Sequence, residues 1–360
     1  MRTSHPYSLL HLQSDGAVAI TYTVKPDGSR EPKIFYQSPK ATGSLEMALK
    51  RFFEDSPKKQ IYINIVSGAA TLSTFKDTTL LREPEAFAQV LEANSGIAEK
   101  DCDVSFLEAE TGKPFNGKGP LLVNCFKRSD FLRAQAIASE LGFENFKLFN
   151  NTLSTLGAIS EWRSEYGSAE TVAILEVGVN TSSLTLSTAN DQIITKRIPV
   201  SIQDIAEGIQ KKLQLKFESA ALLLFYNGVF DFSQHQEAIA ANFGEKLHPH
   251  LQSVSSKLGK DIDRLLITSL PPSYGWINAD VPKSLGIRGF TTDEFYFFKD
   301  LKISGDCAKN PGFIGTVFCA HSDPDEHSWM VSLPMQSIDV ACKLHREFAS
   351  TTPVVNSAES

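Results

Sequence analysis

The sequence has few cysteines, and none of them is arranged to build a metal site or a disulfide framework. The five are odd in number, widely spaced and without a Cys-x-x-Cys pair; they are Cys102, Cys125, Cys307, Cys319 and Cys342. This pattern is typical of reduced, buried thiols in an intracellular protein. We therefore predict a cytoplasmic protein whose cysteines have a structural role.

Long apolar runs and basic clusters are also missing. No window approaches the roughly 20 consecutive apolar residues that cross a bilayer, and the start of the sequence lacks the pattern of a signal peptide. The formal net charge is −7, and no Lys/Arg-rich helix interrupts that acidic balance. The sequence thus predicts no membrane span and no nucleic-acid partner.

Marker motifs of several enzyme classes do not occur. There is no Gly-x-Ser-x-Gly elbow and no His-Glu-x-x-His helix, and the glycines of 112–119 do not fit a phosphate-binding P-loop. The segment 321–327 collects two imidazoles and three carboxylates, which are groups that ligate divalent ions. Its Asp-Pro-Asp core favours a turn rather than a fixed ligand geometry. We interpret it as a solvated acidic loop and predict no metal site.

What is present is an ordinary globular composition in a chain too long for one simple core. The 360 residues are 42% hydrophobic and 21% charged, which excludes disordered, collagen-like and coiled-coil classes. A chain of this length is expected to divide into two or three packed lobes that enclose a cleft.

The hydrophobic pattern repeats along the chain. Residues 9–36 predict three antiparallel strands, followed by a helix near 45–53 and a buried strand at 60–66. The same opening of three strands and then helices returns from Val172, and a further strand is predicted at 264–268. Between the two openings, residues 76–149 predict a small α+β module. The sequence therefore predicts a duplicated α/β fold with an insertion.

Three segments of the second half carry their own predictions. Gly244 and Pro249 are expected to break or kink the helix predicted over 237–258. The aromatic run Phe295–Phe298 is predicted to be a strand buried on both faces, with an exposed partner-binding patch as the alternative. Residues 338–348 have helical spacing and are predicted to dock on the body, with a weak amphipathic membrane helix as the alternative. The last residues, 350–360, are predicted to fray.

A strand that runs into a polar turn carries the main functional signal. Residues 171–175 lead into Glu176-Val177-Gly178-Val179-Asn180-Thr181-Ser182, after which a second strand begins. Gly178 lets the backbone approach an anion, and Thr181 and Ser182 add hydroxyl groups. Such a hairpin is suited to holding phosphate.

At these residues the sequence resembles the actin-like ATPase superfamily, in particular the type IV pilus assembly protein PilM and its relative FtsA. The second phosphate loop of that superfamily reads Asp-x-Gly-x-x-Thr/Ser-Thr/Ser, and Gly178, Asn180, Thr181 and Ser182 match it. The stretch Leu213–Ala220 is similar to the family's Leu-Gly-Leu-x-x-x-x-Ala element, and the resemblance covers about residues 8 to 320.

The resemblance implies an actin-like ATPase fold of the α/β class, which is a duplicated ribonuclease H-like fold. It has two lobes, with a small α+β subdomain inserted in the first. The implied division, in chain order, is first lobe 1–75, insertion 76–149, return helix of the first lobe 150–170, second lobe 171–320 and C-terminal extension 321–360.

The first phosphate loop departs from the family pattern. Catalytic members carry Asp-x-Gly-x-x-x-x-Lys on the opening hairpin, whereas this sequence has His11, Gln13 and Val18 at those positions. The aspartate organises Mg²⁺ and the lysine stabilises the phosphates. Replacing all three residues removes hard oxygen ligation together with positive charge.

The other two loops depart as well. Glu176 stands where the family has aspartate, so its carboxylate is one methylene further out. The third loop normally ends its strand with Gly-Gly, so that adenosine lies against bare backbone; here residues 269–275 read Ser-Leu-Pro-Pro-Ser-Tyr-Gly. The sequence therefore predicts a pseudo-ATPase with a vestigial phosphate loop at Glu176, Gly178, Asn180, Thr181 and Ser182. No catalytic residue and no cofactor are predicted, with at most weak binding of ATP and Mg²⁺.

The resemblance implies a scaffold of a bacterial type IV pilus or a related secretion machine. In the family, a groove between the first lobe and its insertion holds the N-terminal cytoplasmic tail of an inner-membrane protein of the PilN kind. Such a protein lies at the inner face of the inner membrane through its partners, which include other pilus assembly proteins. Two alternatives remain open: an active ATPase or small-molecule kinase in which Glu176 serves the metal or the attacking water, and an FtsA-like filament former. The sequence does not identify the groove residues.

Overall fold

The computed structural model describes residues 8–13, 16–24, 30–37, 44–66, 72–189, 192–227, 230–322, 329 and 336–351. The strands are β1 (Ser8–Gln13), β2 (Gly16–Val24), β3 (Arg30–Gln37), β4 (Gln60–Ile65), β5 (Leu72–Phe75), β6 (Cys102–Glu108), β7 (Leu121–Lys127), β8 (Asn145–Asn150), β9 (Val172–Glu176), β10 (Ser182–Ser187), β11 (Ile193–Ile198), β12 (Arg264–Thr268) and β13 (Gln336–Ser337). The α-helices are α1 (Leu45–Phe52), α2 (Pro84–Ser95), α3 (Arg128–Glu140), α4 (Asn151–Tyr166), α5 (Ile202–Leu213), α6 (Glu218–Tyr226), α7 (Gln236–Leu258), α8 (Ile277–Ser284), α9 (Tyr296–Asp300), α10 (Ile314–His321) and α11 (Ile338–Thr351).

Two sheets repeat one topology. The first has the order β3-β2-β1-β4-β8, and the second has the order β11-β10-β9-β12. In each, the first three strands form an antiparallel meander and the fourth pairs in parallel with the first strand of the meander. Because the sequence predicts the same opening twice, this shared order confirms the duplicated fold.

The second sheet has no fifth strand among its described residues, and other groups occupy that edge. The backbone N–H of Leu265 donates to the carbonyl of Arg288 at 2.9 Å. The side chain of Asn278 accepts from the N–H of Ile267 at 2.7 Å and donates to the carbonyl of Ile267 at 2.9 Å. The edge of β12 is therefore satisfied by one backbone bridge and one side-chain amide, as buried backbone groups require.

A third sheet, β13-β6-β7-β5, belongs to the insertion and is antiparallel throughout. Its core holds side chains of α2 and, from α11, the buried residues Ile338, Ala341 and Cys342. The C-terminal helix therefore docks on the insertion, as predicted for docking on the body.

The sequence-based division differs from the sheets at three places. It assigns residues 145–149 to the insertion, whereas β8 pairs in parallel with β4 in the first sheet, with Leu148 opposite Ile63. It assigns residues 72–75 to the first lobe, whereas β5 pairs with β7 in the third sheet. It also separates 321–360 from the insertion, whereas β13 and α11 pack on β6 and α2. All three differences have the same cause, since long-range strand pairing leaves no mark in a local hydrophobic pattern.

Two other predictions about elements need correction. The run Phe295–Phe298 is not a strand: Phe295 precedes the short helix α9, although Phe295, Phe297 and Phe298 are buried as predicted. Gly244 and Pro249 do not break α7, which continues as helix through both residues, while a kink at these residues stays a prediction. Of the tail that was predicted to fray, residues 352–360 lie outside the described part of the chain.

The helices α4 and α10 pack closely against each other between the two lobes. A Cβ atom built at Gly315 would lie 2.5 Å from the Thr155 hydroxyl and 2.9 Å from its backbone nitrogen. At Gly157 it would lie 2.7 Å from the ring of Phe318. Side chains at either position would force the helices apart, so these glycines set the spacing at the centre of the molecule.

All five cysteines are buried and none takes part in a disulfide, as predicted for buried, reduced thiols. Within the described ranges, every helix is too short or too polar to cross a lipid bilayer.

Candidate functional site between the two hairpins

The first hairpin places His11 at the centre of the molecule. The imidazole is fully buried, and its Nδ1 lies 2.6 Å from the hydroxyl of Thr316 on α10. Its Nε2 lies 3.2 Å from the amide nitrogen of Gln13. Since the Gln13 amide N–H donates to Nε2, the neutral ring carries its proton on Nδ1 and donates to Thr316. Burial lowers the pKa of His11 to about 3, so this ring is neutral at physiological pH.

The position expected to hold lysine in the first phosphate loop is apolar and inaccessible. Val18 pairs with His11 across the hairpin and is 1% exposed. It belongs to the main hydrophobic core. The tip of this hairpin, residues 14–15, lies outside the described residues.

The second hairpin places Glu176 opposite the first. Its side chain is 3% exposed, and its Oε2 accepts hydrogen bonds from the amide of Asn151 at 2.8 Å and from the hydroxyl of Thr152 at 2.9 Å. Burial raises the pKa of Glu176, while the bonds from Asn151 and Thr152 act in the opposite direction. The carboxylate is therefore directed at the first turn of α4.

Asn64, in the middle of β4, joins the two hairpins. Its amide nitrogen donates to Asn151 Oδ1 at 2.9 Å and to Thr316 Oγ1 at 3.0 Å. Strands β1, β4 and β9 and helices α4 and α10 thereby contribute to one continuous set of hydrogen bonds. We call it the buried polar network, and its members in order are Gln13, His11, Thr316, Asn64, Asn151 and Glu176.

The predicted phosphate loop is a compact turn whose donors are partly used within the protein. The N–H of Gly178 lies 3.3 Å from the hydroxyl of Ser182, which donates to the carbonyl of Val200 at 2.5 Å. The carbonyl of Gly178 accepts from the N–H of Ile202, at the start of α5, at 3.0 Å. Gly178 and Ser182 are buried, whereas Thr181 is half-buried and Asn180 is exposed.

The structure therefore separates the predicted site residues into two groups. Glu176 points inward to α4, and Gly178 and Ser182 stabilise the turn. Asn180 and Thr181 remain at the surface, where the amide oxygen of Asn180 lies 3.4 Å from the amide nitrogen of Gln203.

The first residue of the third loop has a backbone conformation typical of glycine, although it is a serine. Ser269, directly after β12, has φ of 68°, a left-handed conformation that glycine adopts without strain. Its buried hydroxyl has no hydrogen-bond partner. Pro272 then begins a short 3₁₀ helix that ends at Tyr274, whose buried ring lies 4.6 Å from that of Phe225. Side chains therefore fill the space at this loop.

Sequence reasoning missed the polar residues of the network that lie outside the three loops. Asn64 stands within an apolar strand, Thr316 within an apolar helix, and Asn151 at the start of α4 after the helix cap Asn150. A polar residue in an otherwise buried segment is a signal, because it needs a partner inside the protein. That signal does not say which partner it finds.

The predicted acidic loop at 321–327 lies mostly outside the described residues. His321, which is described, has its Nε2 3.1 Å from Asp300 Oδ2. Within the part of the chain that the structure covers, no group of three or more His, Cys, Asp or Glu side chains is arranged to hold a metal ion.

The comparison with solved structures found similar folds, whereas the two comparisons by sequence found no match. No family model and no curated protein matches this sequence. A solved PilM–PilN type IV pilus biogenesis complex matches at a TM-score of 0.59 with 13% identity, covering 88% of this chain and 98% of that one.

Two further structures match more distantly. A Bacteroides thetaiotaomicron protein with an actin-like ATPase fold and unknown function matches at a TM-score of 0.44 with 10% identity, covering 83% of this chain and 96% of that one. The ethanolamine utilization protein EutJ from Carboxydothermus hydrogenoformans matches at 0.43 with 11% identity, covering 87% and 88%. Likeness at these identities speaks to the fold alone. The chain thus has the two-lobed actin-like ATPase fold, and over most of its length its structure resembles PilM.

Proposed function

We propose that this protein is a PilM-like adapter of a type IV pilus or related secretion assembly platform, which binds a protein tail and does not hydrolyse nucleotide. The observation that carries the proposal is the buried polar network. At the positions where catalytic relatives would place groups that hold Mg²⁺ and phosphates, this chain has side chains that connect the two hairpins through hydrogen bonds.

The residues at the three loops do not fit a magnesium triphosphate. A triphosphate needs cations or N–H donors, and Mg²⁺ needs hard oxygen ligands. His11 offers a neutral imidazole and Val18 a methyl surface, so these two described positions of the first loop supply neither. The Glu176 carboxylate already accepts two hydrogen bonds from α4. At the third loop, Ser269 and Tyr274 occupy space that bare backbone would leave open.

The network also gives a reason for the lobes to stay together without a nucleotide. A buried hydrogen bond contributes about 1 kcal/mol net, whereas a buried group left without its partner costs about 1–3 kcal/mol. Opening the space between His11 and Glu176 would leave several such groups without hydrogen-bond partners at once. Direct bonds therefore take the place of a ligand that bridges the lobes.

The partner proposal has a different support. The similar solved structure is a complex of PilM with PilN. In our proposal the corresponding partner is the N-terminal cytoplasmic tail of a PilN-like inner-membrane protein. It would hold the adapter at the inner face of that membrane beside other assembly proteins. An extended tail is recognised by pairing with a sheet edge and by pockets for alternate side chains, and the insertion provides a sheet of its own next to the first lobe.

Nucleotide binding is tested by isothermal titration of the full chain with Mg-ATP. The matched variant is Asn180→Asp, which adds a negative charge at the exposed tip of the second hairpin without altering the interior. We expect no saturable heat in the micromolar range for either protein. Micromolar binding that Asn180→Asp weakens would instead favour the active ATPase or kinase.

Partner binding is tested by fluorescence anisotropy with labelled synthetic N-terminal tails of PilN-like inner-membrane proteins. A scrambled peptide of the same composition is the control. We expect saturable binding of the natural tail alone, and equal binding of both peptides would contradict the proposal. Sedimentation across protein concentrations distinguishes the filament former, which would give polymers rather than a defined small species.

A further inference from the structure

Helix α6 in the second lobe exposes an apolar face. Seven of its nine residues are apolar, yet only Ala221, Phe225 and Tyr226 are buried. Leu223 is 55% exposed, and Phe217, directly before the helix, is 60% exposed. Helix α10, which is also mostly apolar, buries seven of its eight residues. Within the described part of the chain, α6 is therefore an apolar helix whose outer face has no cover.

This outer face is a ridge rather than a groove. Leu223 lies one helical turn from Ser219 and from Asn227, and all three residues are exposed. Leu222 and Leu224, on either side of Leu223, are half-buried. The side chain of Leu223 therefore stands at the surface and not inside a pocket. We call this surface the α6 ridge and define it by Phe217, Leu222, Leu223 and Leu224.

Basic side chains accompany the α6 ridge. Residues 211–227 carry three lysines and one carboxylate, whereas the whole protein has a formal net charge of −7. Lys212 and Lys216 are exposed, and Lys216 Nζ lies 5.3 Å from the centre of the Phe217 ring. A positively charged group therefore lies directly beside an exposed aromatic side chain, on a segment whose charge is opposite in sign to that of the protein.

Exposed apolar side chains next to lysines are suited to an anionic lipid surface. At such a surface, phenylalanine and leucine side chains enter the boundary between the headgroups and the acyl chains, while lysines stay with the phosphates. Each lysine close to an anionic membrane strengthens binding about fivefold. The ridge therefore matches an anionic membrane both in charge and in the placement of its apolar side chains.

A second copy of the chain is a poorer occupant for this surface. A stable protein interface buries roughly 800 Å² on each partner, and a ridge with two largely exposed apolar side chains supplies only part of that area. Attachment to a membrane does not need so large a contact, because it is commonly built from two weak signals. In the proposed function, the tail of the inner-membrane partner supplies one of the two.

We propose that the α6 ridge is a lipid-contact surface, on which the protein rests against anionic phospholipids of the inner membrane. Phe217 and Leu223 enter the headgroup boundary, and Lys212 and Lys216 contact the headgroup phosphates. This inference rests on the proposed function, which brings the chain to that membrane. It adds a second attachment, made by the protein itself, to the one made by the partner tail.

Flotation of the full chain with lipid vesicles tests the proposal. Vesicles of phosphatidylcholine and phosphatidylglycerol, in a ratio of roughly 3:1, are compared with vesicles of phosphatidylcholine alone, at low salt and without any tail peptide. We expect binding to the anionic vesicles to be at least about tenfold stronger and to weaken as salt is added. Equal binding to both kinds of vesicle, or no binding to the anionic ones, would overturn the proposal.

Two pairs of exposed apolar residues provide a matched comparison. Phe217→Ser/Leu223→Ser removes the apolar part of the ridge at exposed positions, where substitutions change stability little. Met47→Ser/Leu132→Ser is the control in the first lobe, where these side chains are 65% and 56% exposed. We expect the ridge variant to lose at least about tenfold in binding to anionic vesicles, and the control to bind like wild type. Equal binding by the two variants would contradict the assignment to the ridge.

The contribution of the lysines has its own control. Lys212→Gln/Lys216→Gln is compared with Lys257→Gln/Lys260→Gln, which changes the net charge by the same amount at two other exposed positions of the second lobe. We expect the first variant to bind anionic vesicles about tenfold more weakly than wild type and the second to lose less than about twofold. Equal losses would mean that net charge alone governs binding, which overturns the proposal.

Two further measurements separate this inference from the proposed function and from the other occupant. A protein that binds the PilN-like tail but no anionic vesicle overturns the lipid contact and leaves the proposed function standing. A protein that binds the vesicles but no tail overturns the proposed partner and keeps the lipid contact. Sedimentation without lipid tests for a second copy: self-association that Phe217→Ser/Leu223→Ser abolishes would identify a protein interface and overturn the lipid contact.

Discussion

The two sheets share their strand order but complete their edges differently. In the first, β8 pairs with β4 as a full fifth strand. In the second, the amide of Asn278 and one bridge at Arg288 satisfy the edge of β12. The comparison teaches that the repeated topology does not depend on repeating every element, provided that each buried backbone group finds a partner.

The two hairpins differ in the direction in which burial shifts the pKa of their buried titratable side chains. Each places one titratable side chain in the interior, and burial favours the neutral form of both. For His11 this lowers the pKa to about 3, and for Glu176 it raises the pKa. The hairpins therefore respond to pH with opposite signs, although they are joined by one network.

The largest effect is expected where the lobes meet. Gly315→Ala places a methyl group 2.5 Å from Thr155 Oγ1 and 2.9 Å from its backbone nitrogen, and the facing helix cannot yield without shifting. We expect the free energy of unfolding to fall by about 3 kcal/mol, as for severe overpacking. Urea titration followed by circular dichroism measures it.

The control for Gly315→Ala lies within the second lobe. Gly208→Ala, inside α5, adds a methyl group whose nearest neighbour is 3.4 Å away. Since alanine is the better helix former, this variant is expected to be neutral or stabilising by up to about 1 kcal/mol. Equal losses in the two variants would show that the spacing of α4 and α10 is not special.

A smaller loss is expected at the edge of the second sheet. Asn278→Ala removes both side-chain bonds to Ile267 and leaves its buried N–H and carbonyl without partners. We expect a loss of about 2 kcal/mol in the free energy of unfolding, measured in the same way. Asn180→Ala, at an exposed position, should change it by less than about 0.5 kcal/mol. A small effect at Asn278 would mean that the edge does not need a substitute for the fifth strand.

The opposite pH responses are tested with His11→Gln and Glu176→Gln. The folded pKa of His11 lies below its ordinary value of 6.5, so the unfolded chain takes up a proton first and wild type loses stability as pH falls. Relative to wild type, His11→Gln should therefore gain stability as pH falls from 6.5 towards about 3. This difference is read from urea titrations across pH.

Glu176→Gln should show the opposite trend. Because the folded pKa of Glu176 is raised above 4.5, the folded state holds its proton more firmly, and wild type loses stability as pH rises above that value. Relative to wild type, Glu176→Gln should therefore gain stability as pH rises above 4.5. Curves for either variant that run parallel to wild type would contradict the protonation states assigned to that hairpin.

The smallest effect is expected at the third loop. Ser269→Gly relieves a left-handed backbone and removes a hydroxyl without a partner, against the greater freedom of glycine in the unfolded chain. We expect a net gain of up to about 1 kcal/mol. Ser269→Ala removes the hydroxyl and keeps the strain, so the difference between the two variants isolates the backbone contribution. A loss in Ser269→Gly would contradict the strain.

Much of the fold was predictable from local patterns. The meander of β1, β2 and β3 and its repetition at β9, β10 and β11 follow from alternating apolar spacing. The placement of β8 did not, because pairing with β4 is a contact across 85 residues, between Ile63 and Leu148. Helix α9 was mistaken for a strand, since a short run of buried aromatics has no period that distinguishes the two.

The candidate site was also predictable only in part. The sequence by itself determined which residues stand at the three loops, and hence that His11 and Val18 replace an acid and a base there. Only the tertiary structure decided that His11 and Glu176 are joined through Asn64, Asn151 and Thr316, and that Trp329 packs between the insertion and the first lobe. The physical reason is that side-chain chemistry is a property of each residue, whereas a hydrogen bond or a packed ring needs two residues brought together from distant parts of the chain.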